Sequence, residues 1–223
     1  MTKRSQILDL LIDCGIVGVI RLTDTVKLLK VVDAIHKGGV KCIEITMTTP
    51  GAIEIIEDLT DKIGDDFIIG AGTVLDSETA RSAIAAGAGF IVGPTFKEEI
   101  LRVSHELDTV CVPGAFTPTE ILRAWEAGAD AVKVFPATAL GPQFLKDIKG
   151  PLPQIRLTPT GGINLENASQ FIAAGADFLG AGGSLLDTEA IRNERWDQLT
   201  DIARNFVSII QNTRQRIGAQ GNQ

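Results

Sequence analysis

Short apolar runs alternate along the chain with longer stretches whose apolar positions recur every three or four residues, the periods of strands and of helices buried on one face. The short runs fall near Ile16–Ile20, Cys42–Thr46, Phe67–Ala71, Phe90–Val92, Val110–Val112, Ala131–Phe135, Ile155–Thr158 and Phe178–Ala181, giving eight predicted strands. The stretches between them, of about ten to fifteen residues, are long enough to cross back over a parallel sheet. Before the first strand, Ile7, Leu8, Leu11 and Ile12 predict a short helix that packs across one end of the sheet. After the last, Trp196, Leu199, Ile202, Phe206 and Ile209 predict one long amphipathic helix, and the polar residues from about Ile217 predict a frayed tail.

A weak repeat runs through this pattern. GGVKCIEI from Gly38, GAGFIV from Gly87, GADAVKVF from Gly128 and GADFLGAG from Gly175 each join a helix end to an even-numbered strand, at spacings of 49, 41 and 47 residues. Two strand-helix units fit each interval, so the eight units predict a single (β/α)8 TIM barrel with a short N-terminal helix, spanning residues 1–223 as one domain. The repeat alone would also arise from glycine helix caps in any α/β protein; the strand count carries the expectation.

Composition narrows the partners. The chain has 223 residues, 44% of them hydrophobic, with a formal charge of −7, which argues against a nucleic-acid surface. The apolar stretch from Ile7 to Ile20 is broken by Asp9 and Asp13 and falls short of the roughly 18 residues of a membrane span, so neither a membrane segment nor a signal peptide is expected. Three scattered cysteines, Cys14, Cys42 and Cys111, fit a reducing, cytoplasmic compartment. His36 and His105 are the two histidines, both in helical segments, too few for a histidine-rich metal site.

In such a barrel the chemistry gathers at the C-terminal ends of the strands. Two charged residues interrupt apolar strands there: Glu44 in CIEIT and Lys133 in AVKVFP. Period 2 puts Cys42, Glu44 and Thr46 on one face, and Ala131, Lys133 and Phe135 on one face, plausible inward faces of opposite strands. Burial favours the neutral amine that adds to a ketone to form a Schiff base, and a neighbouring carboxylate can move protons. The same two residues could equally be a structural ion pair.

TPTGGI with Thr160, Gly161 and Gly162, and GAGGS with Gly182, Gly183 and Ser184, follow the seventh and eighth strands, where barrels commonly bind phosphate through backbone N–H groups. Two tight turns are the plainer alternative. Other strand ends offer Arg21, Thr73, Pro94 and Thr95; Arg21 could grip a carboxylate in two-point fashion or be a surface cation. Lys97, Lys146 and Lys149 read as solvated.

Together IEIT with Glu44, GAGTV with Thr73, VPGAFTPTE from Val112, VKVFPA with Lys133, GPQF from Gly141 and PTGGI resemble the class I aldolases acting on 2-keto-3-deoxy-6-phosphogluconate (KDPG) and 4-hydroxy-2-oxoglutarate (KHG), in order from about Ile16 to Leu186. The resemblance implies a homotrimeric barrel that joins pyruvate to an aldehyde with no metal or other cofactor. It implies Lys133 as the Schiff-base lysine, Glu44 as the acid/base, Thr73 at the pyruvate pocket, and Thr160, Gly161, Gly162, Gly183 and Ser184 at the phosphate. Some relatives carry an arginine shortly after the glutamate for the substrate carboxylate; this chain reads Thr46, Met47, Thr48, Thr49, and Arg21 is the expected replacement. Decarboxylation of oxaloacetate is an expected side activity. The alternatives are a metal-free sugar-phosphate epimerase or synthase, and a non-catalytic sugar-phosphate sensor.

Overall fold

The computed structural model describes residues 2–63 and 67–220. Parallel strands β1 (Ile16–Ile20), β2 (Cys42–Thr46), β3 (Ile68–Gly72), β4 (Phe90–Val92) and β5 (Val110–Val112) pair in sequence order, and β9 (Leu179–Ala181) pairs with β1. A second ladder joins β6 (Gly114–Ala115), β7 (Val132–Val134) and β8 (Leu157–Pro159), also parallel. The sheet curls, and every strand except β5 is followed by a helix on its convex side.

The fifth predicted strand is β5, and a further short strand, β6, which the apolar pattern does not predict, follows it across Pro113. The Pro113 carbonyl accepts from Lys133 N–H at 2.8 Å, but proline has no N–H to return on that side, so the ladder changes at this residue. Elsewhere the predicted strands hold to within one or two residues: β3, β7, β8 and β9 start later than the apolar runs because the first residue of each run only leads into the ladder.

Two apolar clusters explain the alternation. Val17, Cys42, Phe90, Val92, Val110, Val112, Ala131 and Phe178 form the concave cluster, and helix α1 (Lys3–Cys14) packs Ile7 and Leu11 into it. Ile16, Ile20, Ile43, Ile45, Ala71, Ile91, Val132, Val134 and Leu179 face the opposite way, into the cluster shared with the outer helices.

Asp130, in the loop before β7, ties α1 to the sheet. Its carboxylate accepts from Arg4 Nε at 2.8 Å and Cys111 N–H at 2.8 Å, and lies 3.3 Å from His105 Nε2. His36 packs edge-on against Phe67, with ring centroids 5.6 Å apart. Lys149 departs from expectation: its ammonium donates to the Ile155 carbonyl at 2.7 Å and to Asp177 at 3.2 Å instead of facing water.

The last helix, α10 (Trp196–Gln220), packs against α2 (Thr25–Lys37) and α8 (Ala168–Ala173). Its deepest stripe is Leu199, Ala203, Phe206, Ile210 and Thr213, with the predicted Ile202 and Ile209 on its flanks. Gly38 lets this helix approach, since a β-carbon there would meet the backbone carbonyl of Thr200 at 2.6 Å. The helix stays regular through Gln220, past the position near 217 where the polar sequence predicts fraying; residues 221–223 lie outside the described chain. Near its end Arg214 donates to the carbonyls of Ile12, Asp13 and Asp177, so the final helix closes off the last turn of the first.

Candidate active site

With Ile43 and Ile45 facing the helices, β2 turns Glu44 to the concave side; Val132 and Val134 do the same for Lys133 on β7. The two charges meet there, Lys133 Nζ 3.9 Å from Glu44 Oε1, both side chains buried. At that separation they attract without a hydrogen bond, and Glu44 Oε1 has no hydrogen-bond partner among the described residues. Burial raises the Glu44 carboxyl above its ordinary value of 4.5, against the opposing pull of the Lys133 and Arg21 cations. A carboxyl so placed can give up and take back a proton, and its free lone pairs face the amine.

The strand ends complete the floor. Gly72 of β3 pairs with Thr46 in the register and leaves room for the Glu44 carboxylate. Met47 N–H donates to the Gly72 carbonyl at 2.8 Å, carrying the pairing one residue further. Thr73 follows in the left-handed region at φ 57, which a β-branched residue adopts only when its surroundings demand it. In place of an arginine the chain has a hydroxyl cluster: Thr46 Oγ1 lies 2.9 Å from Thr48 Oγ1 and 3.4 Å from Thr49 Oγ1.

Phe135 divides the mouth. Its ring centroid is 5.1 Å from Lys133 Nζ, and the ring is 37% exposed, bordering a cavity on either side. One cavity, of about 310 Å³, brings together Arg21, Thr160, Gly161, Gly162, Gly182, Gly183 and Ser184. The other, of about 360 Å³, holds Pro94 and Thr95 with Phe96, Phe116, Glu120 and Arg123. Most of the expected binding residues therefore share one side of Phe135, Pro94 lies on the other, and Thr73 follows the glycine that accommodates Glu44.

The glycine-rich loops are built to present backbone. Gly161 and Gly162 take successive positive φ values, 100° and 72°, which only glycine adopts without strain. Asn167 holds the second by donating from Nδ2 to the Gly162 carbonyl at 2.8 Å, and Asn164 and Asn167 accept one another's backbone N–H groups. The Gly182 carbonyl accepts from Leu185 and Leu186, so a helical turn begins there and its first N–H groups point outward, as in anion sites. The Ser184 hydroxyl donates to the Ile163 carbonyl and locks the two loops together, leaving lone pairs and its backbone N–H for a ligand. The Asn pair and Arg123 gave no sequence signal, because helix starts and surface charges look alike in any α/β chain; Phe116 and Glu120 lie in VPGAFTPTE but were not singled out.

Among the described residues no group of three or more His, Cys, Asp or Glu side chains is arranged to hold a metal ion. Nor is any described helix long and apolar enough to cross a membrane.

Comparison with known proteins gives a consistent result. The profile of the family described as KDPG and KHG aldolase matches residues 7–202. A 2-dehydro-3-deoxy-phosphogluconate aldolase from Haemophilus influenzae is 34% identical over 207 residues, 92% of this chain and 97% of that protein. A 2-dehydro-3-deoxy-6-phosphogalactonate aldolase from Escherichia coli K12 is 37% identical over 155 residues, 69% of this chain and 76% of that one. Among solved structures, a KDPG aldolase from Legionella pneumophila, with pyruvate captured as a covalent carbinolamine intermediate, superposes with a TM-score of 0.80 at 30% identity, covering 86% of this chain and 95% of that one.

Proposed function

The chain belongs to the KDPG and KHG aldolase family, and we propose that Lys133 and Glu44 carry out its chemistry as Schiff-base lysine and acid/base. The enzyme is a class I aldolase, a lyase that cleaves 2-dehydro-3-deoxy-6-phosphogluconate to pyruvate and glyceraldehyde 3-phosphate. The observation that carries the residue assignment is the buried 3.9 Å approach of Lys133 Nζ to Glu44 Oε1 on the concave face.

The Lys133 amine adds to the C2 ketone; the Glu44 carboxyl gives its proton to the departing hydroxyl, water leaves, and a protonated imine remains beside the Glu44 carboxylate. Glu44 removes the proton of the C4 hydroxyl; the C3–C4 electrons flow into the imine nitrogen, the aldehyde departs, and an enamine remains. Protonation at C3 and hydrolysis release pyruvate. The glycine loops and Arg21 hold the phosphate end, so Arg21, expected to take the carboxylate, serves the opposite end, and the hydroxyls of Thr73 and the Thr46–Thr48–Thr49 cluster receive the carboxylate. Phe135 shields the imine. The same centre splits 4-hydroxy-2-oxoglutarate to pyruvate and glyoxylate, and releases carbon dioxide from oxaloacetate through the identical enamine.

We further read the curled sheet as a closed eight-stranded barrel, with β5 and β6 as one strand. Support comes from Phe135 N–H donating to the Ala115 carbonyl at 3.0 Å and from the parallel bridge between Thr160 and Gly180. A homotrimer is the assembly that family membership suggests, and exposed Phe116 offers apolar surface for it. The free thiols suit a cytoplasmic location.

The test is borohydride reduction in the presence of pyruvate, followed by intact-mass and peptide analysis. A single adduct on Lys133, absent from Lys133→Ala, is expected. A chain that turns over substrate with no adduct would overturn the covalent reading in favour of acid/base chemistry alone.

A further inference from the structure

At the end of the sheet remote from Lys133, two of the three cysteines share one apolar cluster. Cys14 closes α1 and is half-buried; Cys42 opens β2 and is fully buried in the concave cluster, against which Cys14 packs. Lys41 N–H donates to the Cys14 sulfur at 3.3 Å, and in the thiol form Cys14 donates to the Ile16 carbonyl at 3.3 Å.

We propose that Cys14 and Cys42 form a peroxide-responsive thiol pair that closes to an intramolecular disulfide, with Cys14 as the attacking sulfur. The two positions are 28 apart in the chain and meet only in the fold. The pair is asymmetric in the way such chemistry requires. The Cys42 S–H, then the Lys41 N–H, stabilise a thiolate on Cys14 and hold its pKa below the ordinary thiol value despite burial. Its partner is held in the thiol form by that same contact and by burial. The half-buried sulfur is reachable by a small oxidant, and the buried one waits behind it as the resolving thiol.

The Cys14 thiolate attacks one oxygen of the peroxide; the O–O bond breaks, the hydroxide takes up a proton to leave as water, and a sulfenic acid forms. Cys42, giving up its proton, attacks that sulfur; the S–O bond breaks, a second water leaves, and the S–S bond forms. Two thiols lose two electrons in all, and one hydrogen peroxide becomes two waters. The new bond would fasten the end of α1 to the start of β2, two residues ahead of Glu44 on the same face of the strand.

The third thiol is an internal control. Cys111 is buried, and burial pushes its pKa up to about 12, so it should stay reduced under the same exposure. The experiment treats the full chain with hydrogen peroxide, blocks residual thiols with an alkylating agent and maps peptides without reductant. A Cys14–Cys42 linked peptide, lost on dithiothreitol, is expected, with Cys111 alkylated. In Cys42→Ser, a dimedone adduct should appear on Cys14. Both cysteines alkylated after peroxide, or Cys14 driven to sulfinic acid with Cys42 still free, would overturn the pair. The wild-type peptide map stands by itself should the Cys42 variant fold poorly.

Discussion

Gly72 stands so close to Glu44 that a β-carbon on it would lie 2.6 Å from Oε1. The carboxylate thus occupies the volume that any other residue on β3 would claim, and its position toward Lys133 depends on the absence of a side chain one strand away. Gly72→Ala should displace Glu44 and lower kcat by about a hundredfold, the scale of a misplaced catalytic group. Borohydride trapping of pyruvate should persist in the variant because Lys133 is untouched. Loss of both together would mean that the strand itself had been disrupted.

Glu44 also sets a pH dependence whose sign is fixed. With its folded pKa raised, the folded chain keeps a proton that the unfolded chain releases above about 4.5, so this group's contribution to stability is full below that pH and is lost as pH rises through the folded pKa. Urea unfolding across that window should therefore show a fall that is absent in Glu44→Gln. Acting as base, the carboxylate must be ionised, so the acid limb of the kcat profile should lie above 4.5. A limb at or below the ordinary glutamate value would contradict the role.

Arg21 shares its cavity with both glycine loops. Arg21→Ala should raise KM for the phosphorylated sugar acid by tenfold or more, about the 1.5–3 kcal/mol of a charge-assisted contact, and leave KM for 4-hydroxy-2-oxoglutarate nearly unchanged. An equal rise for both substrates would return Arg21 to the carboxylate they have in common.

Gly162, at φ 72 and with Thr138 Oγ1 2.8 Å from where a β-carbon would sit, tolerates no side chain. Gly162→Ala should cost about 1 kcal/mol or more in stability, and should weaken phosphorylated substrate far more than its unphosphorylated counterpart. Unfolding midpoints and paired KM values separate the two effects.

Period 2 was enough to find Glu44 and Lys133, since a charge between two β-branched neighbours on a strand can only face away from the helix layer that buries them. The glycine loops were visible for a similar local reason, a cluster of glycines just past a strand. What the chain does not display is relationships across it. Arg21 has a long side chain whose reach is set by the loops around it, so its partners could not be read from its strand position. The break at Pro113, the division of the mouth by Phe135 and the hydroxyl bond from Ser184 to Ile163 all depend on which groups the neighbouring strand happens to offer. Lys149 looked solvated because its partners, Ile155 and Asp177, come from segments beyond its own helix.

Arg214 gives the chain an order of completion. The carbonyls it holds belong to Ile12 and Asp13, at separations of 202 and 201 residues. The guanidinium that satisfies the final turn of α1 thus comes from a helix far along the chain, with every strand lying between the two. Contacts of such long range form late, because the intervening chain must first be ordered. Asp130 holds the start of α1 through Arg4 and the concave cluster holds its middle, but its last turn stays open until α10 has docked.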